Sequence, residues 1–194
     1  MVPVIRQKNK KSVPNIKEGL GDNMEYKSPK EILSFLKKNL NESIIESRIE
    51  SKKEGVKQEE FHNIWLEVPK EKFVDTVKLL FEIQYPHIAI IAGNDTGEAI
   101  ELVYLFSICY GEKFKEISVN IKVRLNKDKP SISSITDLIP GAQTTEREAK
   151  EMFGVKFIGL PDMHNIFLPY DFPKNVFPFR KDQKGLDELV QKES

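Results

Sequence analysis

Strict alternation of apolar and polar side chains is the clearest structural signal in the chain. Apolar side chains occupy every second position over nine residues, at Ile117, Val119, Ile121, Val123 and Leu125. A period of two is typical of a strand that buries one face in an antiparallel sheet. Further apolar-rich runs predict four more strands, at residues 43–50, 61–68, 87–92 and 100–110.

Two other segments have the spacing of amphipathic helices. Ser28 and Glu31 stand three residues apart, as in a capping box, and Pro29 suits the first helical position. This helix is predicted to end near Asn39. The second is predicted to begin after Pro69 and to end before Pro86. Its expected buried face comprises Phe73, Val74, Val77, Leu80 and Phe81. The connections include a charged hairpin loop at 52–60 and a turn at 94–97.

The pattern changes after Pro130. Short helical pieces are predicted at about 132–138 and 144–153, followed by a proline-rich tail with many aromatic side chains. These are Phe157, Phe167, Tyr170, Phe172, Phe177 and Phe179. The tail has too few regular elements to bury its own aromatic side chains, so we expect a partner's surface to cover them. We also expect that residues 155–194 can be removed without unfolding the sheet. The alternative is that the tail folds back over its own sheet.

These patterns define the fold class and three regions. The class is α+β, with an antiparallel-rich mixed sheet, two packing helices, then short helices and an extended C-terminal tail. Residues 1–27 are predicted to be a flexible basic arm, 28–130 the α+β domain, and 131–194 the short helices and a partner-wrapping tail. The arm is either a solvated terminus or a positive segment that contacts an acidic partner or anionic lipid.

Composition excludes several classes of protein. Thirty basic residues balance thirty acidic ones in 194 residues, which argues against a general nucleic-acid binder. The single cysteine, Cys109, excludes an intrachain disulfide or an all-cysteine metal site, and its apolar strand predicts a core position. No apolar run reaches eighteen residues and no signal peptide is present, so a cytoplasmic compartment without a membrane span is expected. The many Lys and Glu residues favour a thermophilic source.

A charged helix near residue 150 is the sharpest local motif. Thr144 or Thr145 could cap it, Thr145 and Glu148 have capping-box spacing, and Gly154 suits a left-handed C-cap. Two i,i+4 ion pairs are predicted along its surface, namely Glu146–Lys150 and Arg147–Glu151.

Glu148 and Glu151 are expected on the same side of this helix. Two close carboxylates could perform acid–base chemistry or bind a metal ion. They could equally belong to a solvated face, or be presented to another protein. The three histidines, His62, His87 and His164, have no mutual metal-binding spacing and are expected to be structural.

Residues 134–182 resemble a known family. Residues 146–154 match the pattern Glu-Arg-Glu, two free positions, an acid, two apolar residues and Gly. Spaced tail elements agree, including Gly159, Pro161-Asp162 and 179–182. The segment resembles the C-type subunit of respiratory complex I and its relatives in membrane-bound energy-converting hydrogenases. Leu160 and His164 replace residues that are usually basic (or, at the second, proline), and the tail is short. These departures favour an archaeal hydrogenase-like form over an ordinary NADH dehydrogenase.

The resemblance implies a function without a cofactor in this chain. Proteins of this family are hydrophilic and peripheral, on the cytoplasmic side of the membrane. They clasp the large catalytic-type subunit (the D-type subunit of complex I, or a hydrogenase large subunit) near the small iron–sulfur subunit, and the iron–sulfur clusters lie in those partners. The implied interface or ion-pair residues are Glu146, Arg147, Glu148, Glu151, Arg180, Lys181 and Asp182. The residue pattern adds three aromatic candidates, Phe153, Phe167 and Phe177.

Two other classes of function remain open on the residues alone. One is a free-standing α+β enzyme that uses Glu148 and Glu151. The other is a small binding module for an unrelated partner. In the leading interpretation, this chain has no catalytic site and is a scaffold subunit of an oxidoreductase complex.

Overall fold

The computed structural model describes residues 27–111 and 115–182. The basic arm, apart from Lys27, and the last twelve residues lie outside the described residues. The elements in chain order are α1 (Pro29–Leu40), a short 3-10 turn (Asn41–Ser43), β1 (Glu46–Glu54), β2 (Glu59–Glu67), α2 (Lys70–Phe81), β3 (His87–Asp95), β4 (Ala99–Ile108), β5 (Ile117–Asn126), β6 (Ser131–Ser133), α3 (Ala142–Phe153) and β7 (Lys156–Ile158).

The larger sheet has five strands in the order β1-β2-β5-β4-β3. All neighbours are antiparallel except β2 and β5, which run parallel. The mostly antiparallel α+β class is therefore confirmed. The alternating strand β5 lies at the centre, antiparallel to β4 as its pattern predicts. Strands β6 and β7 pair in parallel as a separate two-stranded sheet.

The core lies between one face of the sheet and the helices. On β4 and β5 every second side chain is buried, and the register pairs Leu102 with Val123 and Tyr104 with Ile121 on this face. Helix α1 packs on β2, α2 on β5 and α3 on β3. The opposite face carries charged pairs such as Arg124–Glu101, whose side-chain atoms lie 3.0 Å apart.

The capping box of α1 is confirmed. The Glu31 backbone N–H donates to Ser28 Oγ at 3.3 Å, and the Ser28 N–H donates to the Glu31 carboxylate at 2.7 Å. Helix α1 thus begins where its sequence predicts, and α2 begins at Lys70, directly after Pro69. The buried residues of α2 are Phe73, Thr76, Val77 and Leu80.

Four local predictions are wrong. Strands β1 and β2 run through most of the expected charged loop at 52–60, so only residues 55–58 form a turn there. Strand β3 continues to Asp95, through part of the turn expected at 94–97. The piece at 132–138 is not helical: residues 131–133 pair with β7, and residues 136–138 form only a turn. Cys109 follows the end of β4 rather than lying in it. It is half-buried and has a φ angle of 57°.

Candidate functional site

Helix α3 begins earlier than its threonines suggest. Gly141 is the N-cap, and no side chain in the described part of the chain caps the helix. The Ala142 N–H donates to the Ile139 carbonyl at 3.0 Å. Thr145 lies inside the helix and donates its hydroxyl to the Ala142 carbonyl at 3.1 Å. The predicted threonine cap and capping box are therefore wrong. The C-cap is confirmed: Gly154 is left-handed, with a φ angle of 73°.

Glu146 is completely buried and holds α3 to the chain segment before it. Its carboxylate accepts hydrogen bonds from Ser134 Oγ at 2.6 Å and from the Ile135 backbone N–H at 2.9 Å. Burial raises the pKa of Glu146 to about 7, although both hydrogen bonds favour the charged form. The predicted Glu146–Lys150 pair does not form, because each side chain has a partner elsewhere.

Tyr104 on β4 shares this buried region. Its hydroxyl is buried and has no hydrogen-bond partner among the residues that the structure describes. Burial, together with the negative charge of Glu146, raises the pKa of Tyr104 well above its usual value. The phenol is therefore neutral, and its ring packs against Phe73, with the ring centroids 4.2 Å apart.

Arg147 and Lys150 bind the segment that follows β7. Arg147 Nη1 lies 3.0 Å from Asp162 Oδ2, and its Nε donates to the His164 carbonyl at 2.9 Å. Lys150 Nζ donates to the Met163 carbonyl. The predicted Arg147–Glu151 pair is wrong, since residues 162–164 supply the partner of Arg147 instead.

Glu151 holds residues 166–168 of the same segment. Its side chain is buried, and its carboxylate accepts the backbone N–H groups of Ile166, Phe167 (3.0 Å) and Leu168 (3.2 Å). Both carboxylate oxygens are thus occupied by backbone donors. Glu148 is only partly buried and makes none of these contacts. The arrangement argues against a catalytic Glu148/Glu151 pair, and in residues 27–111 and 115–182 no three metal-ligating side chains come together.

The end of the described chain is bound to the strands by a polar cluster around Asp95. The buried Asp95 carboxylate accepts the Lys181 N–H at 2.8 Å and lies 2.9 Å from Lys127 Nζ. Arg180 donates to the Lys127 carbonyl at 2.9 Å and pairs with Asp182 at 3.1 Å. Burial alone would raise the pKa of Asp95, but Lys127 and the backbone donors outweigh burial and lower it to about 2.

Aromatic packing completes this attachment. The Phe179 N–H donates to the Met152 carbonyl at 3.0 Å, and the Phe179 ring meets the buried Phe153 ring edge-on, with centroids 5.6 Å apart. The Phe177 ring lies against Gly154. Phe153 and Phe177 thus make contacts within the chain, whereas Phe167 remains 58% exposed.

Between these two attachments the chain exposes apolar side chains. We call residues 162–179 the C-terminal loop. Within it the exposed large apolar residues are Met163, Ile166, Phe167, Tyr170 and Phe179, and Tyr170 is fully exposed. A segment that exposes several large apolar side chains is a candidate protein interaction site. The loop is therefore the candidate functional site.

Four anchoring residues, Ser134, Asp95, Lys127 and Asp162, were not identified as important from the sequence. Ser134 and Asp162 stand out only as members of the segment that resembles the family. Asp95 and Lys127 carried no local signal, because the bonds of Asp95 to Lys127 and Lys181 span 32 and 86 residues of the chain.

Comparison with solved structures places the fold in a known class. A chain in the structure of the membrane-bound sulfane sulfur reductase (MBS), an archaeal respiratory membrane complex, superposes with a TM-score of 0.67. The match covers 84% of this chain and 90% of that one at 23% sequence identity, so it establishes a shared fold.

The sequence then identifies the family. Residues 66–188 match the respiratory-chain NADH dehydrogenase 30 Kd subunit, and the chain belongs to this family. The membrane-bound hydrogenase subunit beta of Pyrococcus furiosus is 32% identical over 130 residues, covering 66% of this chain and 75% of that protein. The C/D-type subunit of the NADH-quinone oxidoreductase of Phocaeicola vulgatus is 32% identical over 119 residues, covering 60% of this chain but only 22% of that protein. The resemblance stated from residues 134–182 is confirmed.

These relatives are subunits of hydrogenase and NADH-quinone oxidoreductase complexes. Their names support the interpretation that this chain is a subunit of a complex I-like assembly. In the described part of the chain, no helix combines the length and apolar character needed to cross a membrane.

Proposed function

We propose that this protein is a non-catalytic scaffold subunit of a membrane-bound, complex I-related oxidoreductase of the hydrogenase-like type. It binds the large subunit through its C-terminal loop and lies beside the small iron–sulfur subunit. It is peripheral, on the cytoplasmic side of the membrane. The electron-transfer chemistry and the iron–sulfur clusters belong to the partner subunits.

The exposed C-terminal loop is the observation that carries this proposal. Of the eleven exposed large apolar side chains among the described residues, five lie in the C-terminal loop. Exposed aromatic side chains held on an ordered segment have the character of protein-interface anchors.

The nature of the partner is supported by a relative in which two subunit types share one chain. In the C/D-type protein, the region similar to this chain makes up about a fifth of the whole. Its name pairs a C-type part with a D-type part. Since covalent linkage keeps two parts together at high effective concentration, fusion is compatible with a lasting contact between them. We therefore assign the homologue of the D-type part as the large partner, and we call it the large subunit below.

The carboxylates of α3 support a structural role over an enzymatic one. Those of Glu146 and Glu151 are buried and bound to groups of the same chain. A general acid or base must reach the proton of a substrate, and neither group is free to do so.

Purification from the native membrane under mild detergent tests the proposal. A tagged copy of this chain is expected to co-purify with the large subunit and an iron–sulfur subunit in equal amounts, with iron in the complex. Recovery of the chain as a monomer, with neither partner, would contradict the scaffold function.

A further inference from the structure

The C-terminal loop is attached to the domain at both of its ends. Near its start, Asp162 and the His164 carbonyl bind Arg147, and the next residues bind Glu151. At its far end, the Phe179 N–H binds the last turn of α3, and the following Lys181 binds Asp95. The residues between these attachments have no regular secondary structure.

Glu151 makes the densest set of contacts in this attachment. One carboxylate receives three consecutive backbone N–H groups, from residues 166 to 168. Those residues include Ile166 and Phe167, two of the exposed apolar side chains. The carboxylate thus fixes the backbone directly beneath the side chains that would touch a partner. An amide at this position has one oxygen acceptor and cannot accept all three bonds equally well.

We propose that Glu151 is a positioning residue that preforms the C-terminal loop for docking into an apolar cleft of the large subunit. This inference rests on the proposed function and adds how the contact is made. In this proposal the family motif at residues 146–154 makes its contacts within the chain. It affects binding of the partner because it holds the C-terminal loop in place. Preforming a loop lowers the entropy that must be lost on binding.

The charge of the loop favours a protein cleft over a lipid surface. Residues 162–179 contain the acids Asp162 and Asp171, with Lys174 as the sole lysine or arginine. Binding to anionic membranes through a peripheral segment requires clustered cations beside the apolar side chains. The loop lacks such a cluster, so its aromatic side chains suit an apolar protein surface.

Binding kinetics separate positioning from direct contact. If only a fraction of molecules holds the loop in its competent form, the apparent affinity falls by that fraction, and the loss is in the association rate. For Glu151→Gln we expect the association rate constant to fall about tenfold, with a nearly unchanged dissociation rate. Glu151→Ala should be worse than Glu151→Gln. For Phe167→Ala, which removes a contact, we expect faster dissociation instead.

The experiment uses the full chain and the purified large subunit from the same genome, measured by surface plasmon resonance. Glu71→Gln on α2 is the matched control, because Glu71 is an exposed helical glutamate far from the loop in sequence. Amide hydrogen exchange at residues 166–168 should rise in Glu151→Gln while exchange in β4 and β5 is unchanged. This readout separates local release of the loop from general unfolding.

Each outcome decides a different claim. Equal association rates for wild type and Glu151→Gln, despite faster exchange at 166–168, would overturn the positioning role and leave the proposed function intact. Failure of the wild-type chain to bind the large subunit would overturn the proposed function itself. Flotation of the chain with anionic vesicles, or a dimer that Phe167→Ala abolishes, would assign the loop to lipid or to a second copy and contradict the proposal.

Discussion

Glu146 and Glu151 are five residues apart on α3 and bind two different parts of the chain. Glu146 accepts bonds from residues 134 and 135 before the helix, and Glu151 from residues 166 to 168 after β7. Their acidic character was visible in the sequence, but their partners were not. A helix surface predicts i,i+4 pairs only when no other segment competes for the same side chains. Here two neighbouring segments do compete.

The pH dependence of stability should report on Glu146. Its folded-state pKa of about 7 exceeds the ordinary value of 4.5, so the folded state retains a proton that the unfolded state releases. Stability from this group is therefore lost as pH rises from about 4.5 to 7, by up to about 3 kcal/mol. Glu146→Gln should remove this loss. Urea denaturation of both proteins at pH 5 and pH 8 checks this, and an identical pH dependence would contradict the buried acid.

Gly93 in β3 allows a close approach by an aromatic ring. A methyl group added there would lie 2.2 Å from a Phe153 ring carbon. Gly93→Ala must therefore displace Phe153 and disturb its contact with Phe179, at a cost of about 1–3 kcal/mol. At Gly141 the nearest atom to an added methyl group is 3.9 Å away, so Gly141→Ala is the matched control. Thermal melts should show a lower Tm for the first variant alone, and equal melting temperatures would refute the packing argument.

At the scale of elements, local signals predicted the helices and strands that carry strong patterns. The capping box of α1, the proline before α2 and the alternation of β5 each lie within a few residues. Strands β6 and β7 have three residues each and pair across 25 positions, so no local pattern revealed them. The early start of α3 was missed because a backbone turn, and not a threonine, begins the helix.

The polar cluster around Asp95 joins three parts of the chain: the end of β3, the segment after β5, and residues 180–182 that follow the C-terminal loop. Asp95→Asn should leave the Lys127 ammonium, whose side chain is 12% exposed, without its buried carboxylate partner. We expect a loss of roughly 3 kcal/mol in the free energy of unfolding. Amide exchange at Lys181 should also rise sharply. An unchanged exchange rate there would show that Asp95 does not hold the chain end.

Acid should release the same cluster. The folded-state pKa of Asp95 is about 2 and its ordinary value is 3.8. Its stabilising contribution is therefore complete above about pH 4 and is lost as pH falls towards 2. Wild-type stability should fall more steeply than that of Asp95→Asn over this range, as measured by urea denaturation.

At the scale of the whole molecule, the C-terminal third divides into a buried part and an exposed part. Val155, Phe157 and Leu160 are buried in the core, which opposes the expectation that residues 155–194 can be removed without unfolding the sheet. The number of aromatic residues in the tail indicates that the tail cannot form a core of its own. It does not indicate that residues 155–160 complete the core of the sheet domain. After residue 160 come the exposed C-terminal loop and then the residues that bind Asp95.

Two truncations test this division. A chain ending at residue 160 keeps the three buried side chains and should fold, with a lower Tm. A chain ending at residue 154 loses three apolar side chains from the core, at a cost of several kcal/mol, and should not unfold cooperatively. Circular dichroism melts compare the two. Equal stability of both truncated chains would contradict the assignment of residues 155–160 to the core.

Site-specific photo-crosslinking in the native complex tests the central claim most directly. A p-benzoylphenylalanine residue is introduced at Tyr170 or, as a control, at Val56 in the β1–β2 turn, since both side chains are fully exposed. Illumination of the assembled complex is expected to link position 170 to the large subunit, and to give no such product from position 56. A crosslink to the large subunit from position 56 but not from position 170 would contradict the assignment of the C-terminal loop as the docking site.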